Sequence, residues 1–152
     1  MNSGLYLDDL NIGDTFESDS YLISENEIIS FALKYDPQLF HIDEIAANDS
    51  FFNGLAASGW NTASITMKLM VESFKLAEGL IGAGVQVEWP TITRPNDLLM
   101  TKSTIKDIKY SKTKPNQGIV YLESITTNQF GEIRAIINSK ILCFKKHKRD
   151  HD

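Results

Sequence analysis

The hydrophobic period of the chain changes near Gly79, from helical to strand-like, and this change constrains the fold more than any other feature. Residues 54–79, "GLAASGWNTASITMKLMVESFKLAEG", are apolar around most of a helical circumference and carry small side chains in their first half. Such a helix is usually wrapped by other structure. From residue 85 onward apolar and polar residues alternate, which is typical of strands. The pattern predicts an α+β domain with a long central helix wrapped by a curved, mostly antiparallel sheet.

The segments before the central helix predict two shorter helical pieces. Ser24 and Glu27 form a capping box at the start of an amphipathic helix. Pro37 disfavours helical geometry in the residue before it, so this helix should end at Asp36. A short helical turn is a candidate at "DEIAAN", residues 43–48.

Strands are predicted on both sides of the central helix. Residues 14–23 have strand-like composition, and residues 85–89 alternate in polarity. Further strands are expected from Leu98, over residues 118–127 and over residues 133–143, where the last keeps one apolar face for eleven residues. The segment "GLIGAG", residues 79–84, resembles a phosphate loop, but it precedes a strand and does not open a helix, so we interpret it as a turn.

Composition excludes several classes of protein. The net charge of −5 argues against a nucleic-acid partner, because only the C-terminal tail is strongly basic. Residues 1–146 are expected to form one domain, and residues 147–152 a disordered basic tail. A single cysteine, Cys143, leaves no internal disulfide. No signal peptide and no apolar run of ~18 residues is visible. We expect a cytoplasmic protein without a membrane span.

The stretch "YDPQLFHID", residues 35–43, carries the candidate chemistry. Two of the three histidines lie in the tail, so His41 is the imidazole expected in ordered structure. Asp36 lies at the predicted helix end among apolar residues, where the helix dipole and desolvation should both raise its pKa, as general acid–base work requires. The alternative is structural: Asp36 ends the helix in a turn, and His41 is a satisfied, partly buried side chain.

Two alternative sites use other residues. A metal could be held by His41, Asp43 and Glu44, with Asp36, but one imidazole with loosely spaced carboxylates matches no standard zinc pattern, and no metal is expected. Ser58 in "AASGW" suggests a hydrolase nucleophile, but G-x-S-x-G is absent and no second ordered histidine can serve a triad. Close packing of the small side chains of this helix explains Ser58 better than a nucleophile does.

Four segments, in order, resemble the MaoC-like dehydratases, a hotdog-fold family that includes the (R)-specific enoyl-CoA hydratases. They are "ISENEIISFALKYDPQLFHID", "FFNGLAASGWNTASITMKLM", "VEWPTITRPNDLL" and "YSKTKPNQGIVYLESITTNQFGEI". The resemblance runs from about Tyr6 to about Phe144. It implies one hotdog domain.

The resemblance implies that Asp36 and His41 hold the water that adds to a trans-2-enoyl-CoA, giving a 3-hydroxyacyl-CoA of R configuration, or the reverse. Which residue is the base stays open. It also implies that backbone N–H groups at the start of the central helix, matched to Gly54 and Leu55, bind the thioester oxygen. No cofactor is implied beyond the CoA of the substrate, and the expected assembly is a homodimer.

The CoA phosphates need cations near the channel mouth. Arg94, Lys112 and Lys114 are the candidates, against the alternative that the lysines are solvated surface residues.

The chain departs from the hydratase pattern Asp-x-Asn-Pro-Leu-His. Proline directly follows Asp36, Gln38 takes the asparagine position, and the sequence "DPQLFH" is closer to a branch with "DPQPFH", in which Leu39 would be proline. Asn61 stands where many relatives in that branch have histidine. A thioesterase on the same fold and a non-catalytic acyl-thioester binding protein are therefore the competing hypotheses.

Overall fold

The computed structural model describes residues 4–146. In this part of the chain a short 3₁₀ turn at Leu7–Asp9 precedes four α-helices: α1 (Glu25–Tyr35), α2 (Leu39–Ile42), α3 (Glu44–Asn48) and α4 (Gly59–Ser73). The strands are β1 (Thr15–Glu17), β2 (Tyr21–Leu22), β3 (Ile81–Glu88), β4 (Leu98–Tyr110), β5 (Gln117–Thr127) and β6 (Ile133–Phe144).

The strands form an antiparallel sheet in the order β1–β4–β5–β6–β3, and β2 pairs with the start of β4. Helix α4 packs across this sheet against β4, β5 and β6. The predicted α+β fold, a long helix wrapped by an antiparallel sheet, is confirmed.

Two clusters of buried side chains fix α4 on the sheet. At its C-terminal end, Met70 and Phe74 pack against a cluster that includes Leu7, Ile105, Val120, Leu122, Ile141 and Cys143. Burial raises the pKa of the Cys143 thiol to about 11, so this thiol stays protonated at neutral pH. Nearer the N-terminal end, α4 packs against a second cluster that includes Ile23, Ile28, Ala47, Leu55 and Leu99. The start of α4 is therefore held beside α1.

Helix α1 begins and ends where the sequence predicts. Ser24 Oγ accepts the N–H of Glu27 at 3.1 Å, but only this half of the capping box forms. The Glu27 carboxylate accepts the Tyr21 hydroxyl at 2.6 Å, and this hydrogen bond is the main reason that the pKa of Tyr21 is raised to about 12. The helix ends at Tyr35, so Asp36 lies at its C-terminus.

The central helix is shorter than predicted at both ends. It spans 59–73, whereas the sequence predicts 54–79. Residues 55–58 are extended because the N–H groups of Ala56 and Ala57 donate to the carbonyls of Phe40 and Thr93, at 3.1 and 2.9 Å. After Phe74 the chain leaves the helix and pairs with the N-terminal segment at Leu5.

The strand predictions hold for β4, β5 and β6 and change elsewhere. Residues 14–23 contain two short strands, β1 and β2. Residues 81–84 are not a turn but the start of β3, which has a bulge between Gly82 and Gly84. Seven of the eight residues of β3 are exposed, because the strand pairs with β6 on one side only.

Two further predictions concern the C-terminal tail and membrane-spanning helices. The predicted tail, 147–152, lies outside the described residues. Within residues 4–146 no helix is long and apolar enough to cross a membrane.

Candidate active site

The turn between α1 and α2 brings Asp36 and His41 into contact. Pro37 ends α1, and two backbone hydrogen bonds, Gln38 N–H to Asp36 O (2.7 Å) and His41 N–H to Gln38 O (2.9 Å), reverse the chain. Helix α2 then carries His41 back toward the end of α1. Asp36 Oδ2 lies 3.2 Å from His41 Nε2. The two residues singled out by the sequence therefore form a hydrogen-bonded pair.

The surroundings of His41 set its tautomer. The side chain is buried, and its Nδ1 lies 2.5 Å from the carbonyl oxygen of Ala56. A carbonyl can only accept, so Nδ1 carries a hydrogen. The rings of Phe40 and Phe52 pack on the imidazole, with centroids at 4.5 and 6.4 Å. Nε2, which faces Asp36, is thus the ring nitrogen that can gain or lose a proton.

The pKa of Asp36 is shifted in the direction opposite to the prediction. Desolvation is the largest single influence and would raise it, but the hydrogen bond from Gln38, the nearby Ser58 hydroxyl, and the charge and hydrogen bond of His41 together hold the pKa below its ordinary value. Gln38 Nε2 donates to Asp36 Oδ1 at 2.6 Å. The prediction of a raised pKa is therefore wrong, and Asp36 is a carboxylate at neutral pH.

Ser58, the N-cap residue of α4, lies beside this pair, and Asn61 follows in the first turn of the same helix. Both residues are buried, at 0% and 2% exposure, and within the described residues Ser58 Oγ and Asn61 Nδ2 make no hydrogen bond of standard geometry. Ser58 Oγ nevertheless lies close enough to Asp36 to lower its pKa. An unpaired buried polar atom costs about 1–3 kcal/mol, so two together indicate a place for a ligand. The sequence predicts only helix packing for Ser58, because no sequence signal separates packing from this role.

Gly54 and Leu55 do not lie at the start of the central helix, as the resemblance implies. Residue 54 precedes that helix by five positions, and its N–H donates to the Ala47 carbonyl at 3.0 Å. Glycine is required at position 54 for another reason. Its φ of +144° is unfavourable for other residues, and an added Cβ would lie 3.3 Å from Arg94 Nη1. The placement is corrected because Ala56 and Ala57 pair with other segments and delay the helix.

The helix start lies instead at Gly59. Within the described residues, the N–H groups of Gly59 and Trp60 have no hydrogen-bond partner, as expected in the first turn of a helix. A Cβ at position 59 would lie 2.6 Å from the Trp89 ring, so that ring packs directly on the glycine. These free N–H groups follow Ser58 and make the N-terminus of α4 an electropositive wall of the site.

The three candidate cations do not gather at this site. Arg94 donates to the carbonyls of Phe52, Gly54 and Leu55, so its guanidinium holds the loop before α4. Lys112 and Lys114 lie in the turn after β4, whereas residues 93–97 before β4 adjoin the site. The 13 residues of β4 span roughly 40 Å at about 3.3 Å per residue. Within one chain the lysines are far from Asp36.

The structure does not support a metal site at His41, Asp43 and Glu44 with Asp36 among the described residues. The Asp43 carboxylate caps α3 by accepting the N–H groups of Ile45 and Ala46, at 2.9 and 3.1 Å. Across residues 4–146, no three His, Cys, Asp or Glu side chains come together as a group that could hold a metal ion.

Comparisons with known proteins bear on the family and the fold of the chain. Residues 9–128 match the family described as MaoC-like domain. The uncharacterized protein YdeM of Bacillus subtilis (strain 168) is 35% identical over 127 residues, which cover 81% of this chain and 87% of that protein.

Among solved structures, the MaoC-like dehydratase from Rhodospirillum rubrum is 46% identical, with a TM-score of 0.93 over 95% of this chain and 99% of that one. An unliganded (R)-hydratase from Pseudomonas aeruginosa has a TM-score of 0.76 over 94% of this chain and 88% of its own, at 19% identity. The second likeness shows the fold alone. Together they confirm the predicted hotdog fold.

Proposed function

The chain belongs to the MaoC-like dehydratase family, and from this premise we propose that it is a hydro-lyase. The substrate is a trans-2-enoyl-CoA, and the product is a 3-hydroxyacyl-CoA of R configuration, with the reaction running in either direction. The observation that carries the proposal is the 3.2 Å contact between Asp36 and a His41 ring whose other nitrogen is held by a backbone carbonyl.

The proton chemistry follows from the two ring nitrogens. Nδ1–H donates to Ala56 and keeps the ring in place, and Nε2–H donates to the Asp36 carboxylate. Asp36 takes a proton from water as the water oxygen bonds to C3, and Nε2–H delivers its proton to C2. The proton on Asp36 then passes to the vacated Nε2, which restores the imidazolium that Asp36 stabilises. One O–H bond and one π bond break, and one C–O and one C–H bond form.

The negative charge that develops on the thioester oxygen needs donors. We assign this role to the N–H groups of Gly59 and Trp60, because they are free and lie at the positive end of the α4 dipole. Glycine at position 59 leaves room for the Trp89 ring, which packs beside these N–H groups. In the proposed site these residues replace Gly54 and Leu55, which the resemblance implies.

The purified protein is expected to hydrate crotonyl-CoA. Addition of water removes the conjugated double bond, so the enoyl absorbance should fall without release of free thiol. Both signals should be followed in one reaction. Thiol release would favour a thioesterase, and no change in either signal would favour a non-catalytic binding protein. Either result would contradict the proposed reaction with this substrate.

We also propose that the protein is a homodimer paired through β3. Within residues 4–146 the outer side of this edge strand is unpaired, and an apolar groove of about 490 Å³ between α4 and β3 is lined by residues that include Trp60, Met67 and Val85. These three side chains are 59%, 43% and 64% exposed. An exposed apolar edge strand tends to pair with another chain, and a second copy supplies an antiparallel partner. The turn with Lys112 and Lys114 could then approach CoA only from the partner subunit.

Val85→Glu is expected to convert the dimer into a folded monomer, because two carboxylates would oppose pairing at the β3 edge. Sedimentation velocity at micromolar concentration checks the change. Phe130→Glu is the matched control, since Phe130 is also exposed, at 78%, but lies in the turn between β5 and β6. A monomeric wild-type protein, or a Val85→Glu dimer, would refute the interface.

Three predictions from the sequence remain predictions. The proposed reaction uses no cofactor apart from the CoA of its substrate. The cytoplasmic location and the lack of a nucleic-acid partner rest on composition alone.

A further inference from the structure

The first turn of α4 places two buried polar side chains on one face. Ser58 and Asn61 are three residues apart, a spacing at which helical side chains are neighbours with Cβ atoms about 5–6 Å apart. Trp60 and Met67, by contrast, line the groove beside β3. Ser58 therefore lies beside the Asp36 carboxylate, whose pKa it lowers, with Asn61 as its neighbour on the helix, and neither residue lines the groove.

Neither side chain has a partner within the described residues. Ser58 Oγ and Asn61 Nδ2 are fully buried atoms without a hydrogen bond of standard geometry, although Ser58 Oγ lies close to Asp36 and other buried hydroxyl groups of α4 are paired. Thr62 Oγ1 donates to Thr93 Oγ1 at 2.8 Å, and Thr66 Oγ1 lies 2.7 Å from Thr126 Oγ1. The lack of partners is thus confined to the positions beside the candidate site.

The required ligand atom is an acceptor. An amide nitrogen only donates, and a serine hydroxyl can donate or rotate to accept. The thioester oxygen has the free N–H groups of the helix start, as proposed above. The remaining oxygen of the reaction is the one on C3, which lies against Asp36 and His41 as the attacking water or as the product hydroxyl.

We propose that the Asn61 amide and the Ser58 hydroxyl bind the oxygen on C3 of the acyl chain. This assignment rests on the proposed hydration of acyl thioesters. Asn61 holds the oxygen in line with C3 by donating through Nδ2, and Ser58 connects the same oxygen to the Asp36 carboxylate. The pair discriminates in favour of acyl groups that carry this oxygen, because an unsubstituted chain leaves both polar atoms buried and unpaired.

Calorimetric titration with (R)-3-hydroxybutyryl-CoA and with butyryl-CoA measures this discrimination without relying on turnover. The two ligands differ only in the C3 oxygen. We expect the wild-type protein to bind the hydroxy compound about 10-fold or more tightly. Asn61→Leu and Ser58→Ala, which remove the polar groups, should each abolish most of this preference.

If Asn61 had a structural role, Asn61→Leu would lower the urea midpoint. Since Nδ2 is unpaired in the free protein, we expect instead that Asn61→Leu leaves the urea midpoint equal to or higher than that of the wild type. Thr66→Val is the matched control: it removes a buried, paired hydroxyl from the same helix, so it should lower the midpoint and leave the ligand preference unchanged.

The results separate this inference from the proposed reaction. Equal affinity of the wild type for the two ligands, or binding of neither, would overturn the inference even if crotonyl-CoA is hydrated. Retention of the preference by both Asn61→Leu and Ser58→Ala would overturn it as well. A preference that both variants lose, in a protein that leaves crotonyl-CoA unchanged, would support the oxygen site and reject the hydratase function.

Discussion

Asp36→Asn and His41→Ala are each expected to lower kcat for enoyl-CoA hydration by about 10²-fold to 10⁴-fold, the usual range for a positioned acid or base. The asparagine keeps the shape of Asp36 but loses the charge that stabilises the imidazolium. The alanine removes Nε2, which carries the proton. Because the two groups act as a unit across a 3.2 Å contact, the double variant should lose little more than either single variant.

The urea midpoint must be measured on the same preparations. If Asp36 only ends α1 and His41 only packs, the substitutions should lower stability by about 1–2 kcal/mol while turnover per folded molecule stays normal. Asp43→Asn is the matched control from the same segment. Asp43 caps α3, and asparagine can also cap a helix, so activity should be unchanged. Near-normal turnover of Asp36→Asn would refute the catalytic role of Asp36 and His41.

The second large effect is expected on stability. Asp97→Ala should lower the free energy of unfolding by about 3–5 kcal/mol, because it leaves the guanidinium of Arg134 buried without its carboxylate. Asp97 and Arg134 are 4% and 6% exposed, and Nε donates to Oδ2 at 2.8 Å. The same carboxylate accepts the N–H of Arg94 and the amide of Asn128, at 2.9 and 3.1 Å. It thus joins the loop before β4 to the segments at the end of β5 and the start of β6.

Urea unfolding with Lys68→Ala as the control checks this effect. Lys68 pairs with Glu72 at 2.9 Å, but both side chains are 54% exposed, and removal of such a pair changes stability by less than about 1 kcal/mol. Replacing Asp97 and Arg134 together by leucine and methionine should recover part of the loss, because no charge is then buried alone. A loss below about 1 kcal/mol in Asp97→Ala would show that Arg134 finds another partner.

Features that depend on neighbouring residues could be predicted from the sequence. Proline after Asp36 ends α1, because its ring excludes helical geometry in the preceding residue, and Ser24 caps the start. The alternation over residues 133–143 predicts β6, since side chains along a strand alternate between its faces. The five-residue interval between Asp36 and His41 predicted a pair, and the resemblance supplied its expected role.

Contacts between distant segments decided the rest. The central helix begins at Gly59 and not at Gly54, because Phe40 and Thr93 supply carbonyls that hold Ala56 and Ala57 in an extended chain. The helix propensity of individual residues does not include this competition for backbone hydrogen bonds with distant segments. The pKa of Asp36 is lowered and not raised, since the hydrogen bond of Gln38, the nearby Ser58 hydroxyl, and the charge and hydrogen bond of His41 together outweigh desolvation.

The unpaired atoms of Ser58 and Asn61 are likewise invisible in the sequence. Serine and asparagine are ordinary residues for the first turn of a helix, and nothing in their spacing distinguishes a solvated side chain from a buried one. The composition and order of residues determined which elements form and which two side chains meet. Only the tertiary structure determined which polar groups are removed from water and left without a partner, because burial and satisfaction of hydrogen bonds depend on segments far apart in the chain.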